Sequence, residues 1–355
     1  MKIRKMLVSL LFLLTAVSLA ACGNTAATTD VQTNADVPST DAPNVTAELF
    51  PIKTATRMDC TLAPYIVAIE KGFFAEEGLE LVWTGEIPDS ETLTSVVTGV
   101  NDFHDAHPNQ LALWVQGGAK VKAVGRSIIE PDPEKIGDTE HRLLHMWYYV
   151  NDAAWDAGVK TIADLNGYKS GTILKSAGWT NTCESFILET IFDRYNVPRA
   201  NFEWIGLDSD TSKIEALKLG QVDIIGIHPP FYDAAEEAGL HKIADSWDAG
   251  LGEATGTYLY FFSDEFIAKN PDKVQAFVSA LTKAQIWANA HKEETAALTG
   301  DFIGQEVKGN HYYSENTEIP EDGIKPWIDD LVKSGALKEG EIQVTDIVTH
   351  QFEVK

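Results

Sequence analysis

Hydrophobic and polar positions change their period several times along this 355-residue chain, and the changes mark its organisation. The first 47 residues carry neither helical nor strand-like alternation. An apolar run from Met6 to Leu14, interrupted only by Ser9, is followed by Gly23 to Ala47, rich in Ala, Thr, Asn, Asp and Pro and devoid of Lys, Arg and aromatic residues. That second stretch cannot bury enough apolar surface to offset the entropy of ordering it, so a flexible tether is expected. From residue 50 onward the pattern alternates. Strands are expected at 52–56, 79–83, 121–124, 171–174, 202–205 and 222–227, and helices at 64–71, 91–98, 111–116, 182–195 and 212–219, with a long helical stretch at 271–297. Pro64 near the first turn and Gly72 near the stop bracket the first helix. Strands regularly separated by helices predict α/β layers with largely parallel sheets. Roughly 300 residues exceed what one compact core usually holds, so two lobes are expected.

The N-terminus adds an address. Lys2, Arg4 and Lys5, the short apolar run, and Leu19-Ala20-Ala21 before Cys22 have the order of a secretory signal peptide. The run is shorter than the roughly 20 residues a spanning helix takes. Its ending resembles the bacterial lipobox. The resemblance implies cleavage before Cys22, with residues 1–21 the signal and Cys22 the lipidated residue that anchors the protein outside the cell membrane.

Charge narrows the partners. The chain has 28 Lys and Arg against 53 Asp and Glu; loss of residues 1–21 removes three of the basic residues and leaves a balance of −28. Nucleic acid and anionic lipid both call for a basic footprint and are not expected as partners. With Cys22 lipidated, Cys60 and Cys183 remain, in a compartment that permits disulfides. A bridge, two free thiols and a pair of ligand contacts all stay open, because spacing in sequence does not give distance in space.

Four segments, in order, resemble one family. Tyr65 to Glu80 (YIVAIEKGFFAEEGLE) is similar to the opening of solute-binding proteins of nitrate, sulfonate, taurine and thiamine-precursor importers. Ile162 to Lys169 (IADLNGYK), Lys218 to Asp223 (KLGQVD) followed by Pro229, Pro230 and Phe231, and Asn270 to Val274 (NPDKV) resemble later landmarks of the same family. The resemblance spans roughly residues 50 to 300. It implies an α/β, two-lobe periplasmic-binding-protein fold (type II), with a ligand cleft between lobes joined by two crossings. It also implies a small-molecule ligand, handed to the membrane subunits of an ABC importer by a monomeric, cofactor-free binding protein. Crossings near Tyr148–Asp152 and Gly250–Thr257 would make lobe 1 residues 50–149 plus 256–355, and lobe 2 residues 150–255.

Ligand contacts are then expected from loops at strand ends: Asp59, Cys60 and Thr61; His104, Asp105 and His107; Trp179, Thr180, Asn181 and Thr182; His228 and Phe231; and Tyr258. Nitrate or sulfonate sites favour Arg, Lys or many N–H donors. These loops are instead richer in carboxylates and aromatic faces, which suit a cationic or amino-bearing planar ligand. Oxyanion binding stays open through the helix start at Asn181 and Thr182. His104 and His107, three apart, could also serve a transition metal, although no metal site is assigned. Catalysis is not expected, since the chain has no Gly-x-Ser-x-Gly elbow, His-Glu-x-x-His motif or phosphate loop. The fungal thiamine-pyrimidine synthases resemble the same superfamily and act chemically, but the lipobox argues against that route.

Overall fold

The computed structural model describes residues 48–57 and 60–354. The signal sequence, Cys22, the tether and Asp59 lie outside the described residues, as does the side chain of Cys60. Two five-stranded layers organise the body. In the first, β1 (Phe50–Thr56) pairs in parallel with β2 (Leu79–Glu86), Phe50 opposite Leu79. The Asp102 N–H donates to the Lys53 carbonyl at 2.9 Å, which joins β1 to β3 (Phe103–Ala106). Strand β4 (Val121–Arg126) closes the far edge, and β10 (Leu259–Ser263) lies antiparallel between β3 and β4. The order is β2-β1-β3-β10-β4.

The second layer repeats that order with different strands. β6 (Leu174–Ala177) pairs in parallel with β7 (Phe202–Ile205), and Ser176 bridges to Ile224 beside β8 (Ile225–Ile227). β5 (Trp147–Val150) lies antiparallel between β8 and β9 (His241–Asp245). The order is β7-β6-β8-β5-β9. The sheets are largely parallel, as expected, but each layer contains one strand that reverses direction. The reason is topological. β5 and β10 are the strands by which the chain enters each lobe from the other, so they run against their neighbours.

Local sequence explains most of the helices. Ala63–Glu70 has Pro64 in its first turn, and Gly72, at φ 78°, sits in the left-handed region that glycine tolerates best. In Cys183–Arg194 the Ser185 hydroxyl accepts from the Thr182 N–H at 3.2 Å, and Phe186, Ile187, Ile191 and Phe192 form the buried face. The expected 271–297 helix is two helices, Pro271–Ala290 and Lys292–Ile303, because His291 leaves helical geometry at φ −128°, ψ 53°. The strand expected at 171–174 sits at 174–177. Trp147–Val150 is a paired strand of the second layer, so the boundary drawn at 149/150 cuts through it.

Each lobe has its own apolar core. Phe103, Tyr260, Phe262 and Phe277 centre one core of the first, with Leu111, Phe261 and Leu331 in an adjoining cluster; Ile187, Ile191, Phe192 and Ile224 centre the second. One residue of a first-lobe helix enters the second core. Helix Glu321–Ser334 packs Ile324, Ile328 and Leu331 into the first lobe, yet its Trp327 ring stacks on Phe186 of the second, centroids 3.9 Å apart. The opposite neighbour is His107 at 5.0 Å, and the indole N–H donates to the Ala254 carbonyl at 2.7 Å. The same helix sends Asp330 to Arg199 at 2.8 Å and Lys333 to Asp193. Trp327→Ala removes this fully buried wedge and is expected to cost about 3–5 kcal/mol of stability, read by urea unfolding. A loss below about 1 kcal/mol would show that the wedge carries little packing energy.

Candidate functional site

Imidazoles from both lobes and from the connecting chain converge beside Trp327. His107 follows β3 and starts the helix Pro108–Gln116, where the Gln110 side-chain carbonyl accepts its backbone N–H at 3.1 Å. Its ring Nδ1 lies 2.9 Å from the Thr257 carbonyl. A carbonyl only accepts, so Nδ1 carries the proton and Nε2 the lone pair. His145 sits where the chain enters β5. Its backbone N–H donates to the Glu130 carboxyl at 2.8 Å, while both ring nitrogens are buried without a hydrogen-bond partner. His228 follows β8: its Nδ1 faces Asp210 at 3.1 Å and its Nε2 lies 3.8 Å from the Cys183 sulfur. His311 stacks on His145, ring centroids 4.7 Å apart. His145 is the hub, with His107 at 5.3 Å and His228 at 5.4 Å.

Two ion-pair networks flank the belt. On the first-lobe side Arg57 binds Asp105, Asp89 (2.6 Å) and the Tyr258 hydroxyl, and the Tyr65 hydroxyl donates to Asp105 at 2.9 Å. Burial would raise the Asp105 carboxyl, but the Arg57 charge and the His104 contact outweigh it and hold the group at about 2. On the second-lobe side the buried Lys213 ammonium sits between Glu184 and Asp210, the latter at 2.9 Å. Burial drives His107 down to about 3 and lowers His145 and His311 as well, so these rings are neutral. Burial works against the charge on His228 too, but the Asp210 carboxylate overrides it and raises the ring above its ordinary value.

The structure brings only some of the expected site residues together. His107, His228 and Tyr258 lie in or against the belt, with the Tyr258 ring 4.2 Å from His107. Asp105 is buried and committed to Arg57 and Tyr65. His104 takes its own neighbour's N–H, from Asp105, on Nδ1 at 2.9 Å and makes no ring contact with the other histidines. Thus His107 keeps company with His145 and not with His104. Trp179 is half exposed, donates to Asp208 at 2.9 Å and lies over Gly206, where a Cβ would meet its ring at 2.3 Å. Thr180 is exposed, Asn181 (φ 61°) and Thr182 are half-buried, and so are Thr61 and Phe231. Cys183 is a free thiol. No sequence signal pointed to His311, Asp210, Lys213, Glu130 or Trp327. His141 and His145, four apart, have a spacing that one helix face could present to a metal, but are expected from sequence in interlobe packing or at the surface. In the structure the two part company: His141 pairs with Asp245 at 2.8 Å near the surface, and His145 is buried at the interface.

Beneath the belt, Glu130 accepts from the Ser246 hydroxyl and the His145 N–H within the chain crossing. Burial raises its carboxyl from 4.5 to about 8 despite those bonds, with the Asp245 charge adding to the effect. The folded state holds this proton more tightly than the unfolded chain. Its contribution to stability is therefore complete below about pH 4.5 and is lost as pH rises through about 8. Glu130→Gln is expected to flatten the fall in melting temperature over that interval, measured by calorimetry. An unchanged slope would show that Glu130 ionises normally.

The protein YtlA of Bacillus subtilis, named as a binding protein, is 24% identical over 79% of this chain and 80% of its own length. The periplasmic nitrate-binding protein NrtA of Synechocystis superposes with a TM-score of 0.66 at 14% identity, over 86% of this chain and 87% of that one. The ligand-binding component of an ABC-type import system from Staphylococcus aureus, a structure with zinc bound, gives 0.65 at 13% identity, over 85% and 98%. Likeness at such identities establishes the two-lobe periplasmic-binding-protein fold. No helix among the described residues is long and apolar enough to cross a membrane. The sequence profile described as NMT1/THI5 like matches residues 60–136 and 149–295, more than half of the chain, and the protein belongs to that family.

Proposed function

We propose that this protein is the solute-binding component of an ABC-type importer, held at the outer face of the cell membrane through Cys22, and that it captures an electron-pair-accepting solute, cationic or rich in N–H donors, between its lobes. The observation that carries this reading is the cluster of imidazoles at the lobe interface, in which His107 and His145 are buried and neutral, with the ring nitrogens of His145 lacking any partner. A buried polar atom without a partner is costly, and a bound solute that satisfies it recovers that cost.

Charge accounting supports the same class. The buried cations of the site already face carboxylates, Arg57 with Asp105 and Lys213 with Glu184 and Asp210. A nitrate or sulfonate would have to compete for them, whereas imidazole lone pairs face no such competition. Delivery would follow the fold's usual logic: ligand bridges the lobes, hinge closure presents the closed form to the permease, and no reaction is required.

A thermal-shift screen of the purified protein tests this. Guanidinium, simple amines and aminopyrimidines are compared with nitrate, taurine and alkanesulfonates. A solute at roughly a hundredfold excess over its Kd stabilises the folded state by about 2.7 kcal/mol. A shift with the first group that disappears in His145→Gln is expected. A shift confined to the oxyanions and unaffected by His145→Gln would overturn the reading.

A further inference from the structure

We propose that His107, His145, His228 and Cys183 together bind one late first-row transition-metal ion at the lobe interface. The inference rests on the reading of the interlobe belt as the solute site, and it narrows the solute to a metal ion.

Ligand atoms of His107, His145 and Cys183 all lie within 4.8 Å of one another, and the His228 Nε2 is 3.8 Å from the same sulfur. A tetrahedral zinc-type ion, with metal–nitrogen bonds of about 2.0 Å and a metal–sulfur bond of about 2.3 Å, sets its ligands roughly 3.3–3.7 Å apart. The His107, His145 and Cys183 donors are therefore within about 1.5 Å of ligating spacing, and His228 adjoins them through the Cys183 sulfur; small ring rotations or further lobe closure would complete the set. The donors come from different parts of the fold: His107 from the first lobe, His228 and Cys183 from the second, and His145 from the chain that enters it. An ion held by them would lock the lobes together.

The outer partners are those a metal-binding imidazole uses. Ligating histidines hold their second nitrogen against a carboxylate or a backbone carbonyl, which fixes the tautomer and points the lone pair at the ion. His107 has the Thr257 carbonyl at 2.9 Å on Nδ1, and His228 has Asp210 at 3.1 Å on Nδ1. In both rings Nε2 is the nitrogen turned over to a ligand. His145, the central ring, has neither nitrogen satisfied. Packing alone does not account for it, since a phenyl ring would fill the space without two buried, unpaired nitrogens.

A second group of potential ligands, Glu184, Asp210 and His228, lies alongside, but the Lys213 ammonium already occupies its carboxylates. The thiol and imidazoles thus form the available set. Their softness selects zinc, cobalt or copper over magnesium and calcium. Binding converts the Cys183 thiol to thiolate and takes the Nε2 proton from His228, both protons being released to solvent. On the side of His311 a pocket of about 300 Å³ lies between Gly137–Leu143 and Lys308–Tyr313; it is lined by His311, whose ring stacks on His145.

Cobalt titration of the chelator-treated protein is the test. The expected result is one Co²⁺ per chain, with intense tetrahedral d–d bands and a thiolate-to-cobalt charge-transfer band. Cys183→Ser should abolish the charge-transfer band, and His145→Gln should weaken binding by roughly a hundredfold or more. Asp210→Asn, acting through His228, should weaken it by about 10- to 100-fold. Circular dichroism of each variant separates loss of the site from loss of the fold; His145→Gln removes a ring whose nitrogens bond to nothing and should fold. Absence of stoichiometric Co²⁺ or Zn²⁺ binding, or binding unchanged in both Cys183→Ser and His145→Gln, would overturn the metal site. If amines still stabilise the protein in a His145-dependent manner while metals do not bind, the metal site falls and the cleft reading stands. If neither binds, both fall.

Discussion

The strand that each lobe receives from the other is the constraint on which the rest of this structure depends. β10 lies antiparallel between β3 and β4, and β5 antiparallel between β8 and β9, so each sheet is completed by a strand that enters from a crossing. A sheet cannot release one of its inner strands without losing two ladders of hydrogen bonds. The lobes can therefore hinge, but they cannot separate. The same requirement places the residues flanking those strands at the interface. His145 and Glu130 lie on the way into β5, and Thr257 and Tyr258 on the way into β10, which is why the imidazole belt forms where the crossings run.

Polar groups in that interface are arranged by the cost of burying them. Arg57 with Asp105 and Lys213 with Asp210 and Glu184 keep buried charges in compensated groups. Glu130 solves the same problem by holding a proton and accepting two hydrogen bonds. The imidazoles are the exception: His145 is buried as deeply as the core residues around it, yet its ring nitrogens are unsatisfied. Natural interiors rarely leave such groups without a use. Trp327 sits against this set, stacked between His107 and Phe186, so the apolar wedge that joins the lobes also walls the polar belt.

Much of the architecture was legible along the chain. The segments at 52–56, 64–71, 121–124, 182–195 and 202–205 announced themselves by period and by their bracketing Pro, Thr and Gly, and the structure places elements there with shifts of a few residues at most. The missed elements had weaker signals. Glu321–Ser334, for one, carries Pro326 inside a helix, which reads as a break. The antiparallel placement of β5 and β10 was not readable, because periodicity describes which face a residue takes and not the direction of its neighbours.

What the sequence determined by itself was the α/β layering, the two lobes, the family, and the loop around His107 as a place for chemistry. Each follows from local period or from short runs of residues. What only the tertiary structure decided was company. His107 and His145 are separated by 38 positions, and His228 by 83 more, yet they share one buried space with Cys183, while His104 and His141, nearer in sequence to those partners, turn to other contacts. Spacing along a chain fixes proximity only within a helix turn or a strand pair. Contacts across a lobe interface are set by how two finished cores close on one another, and no local pattern records that.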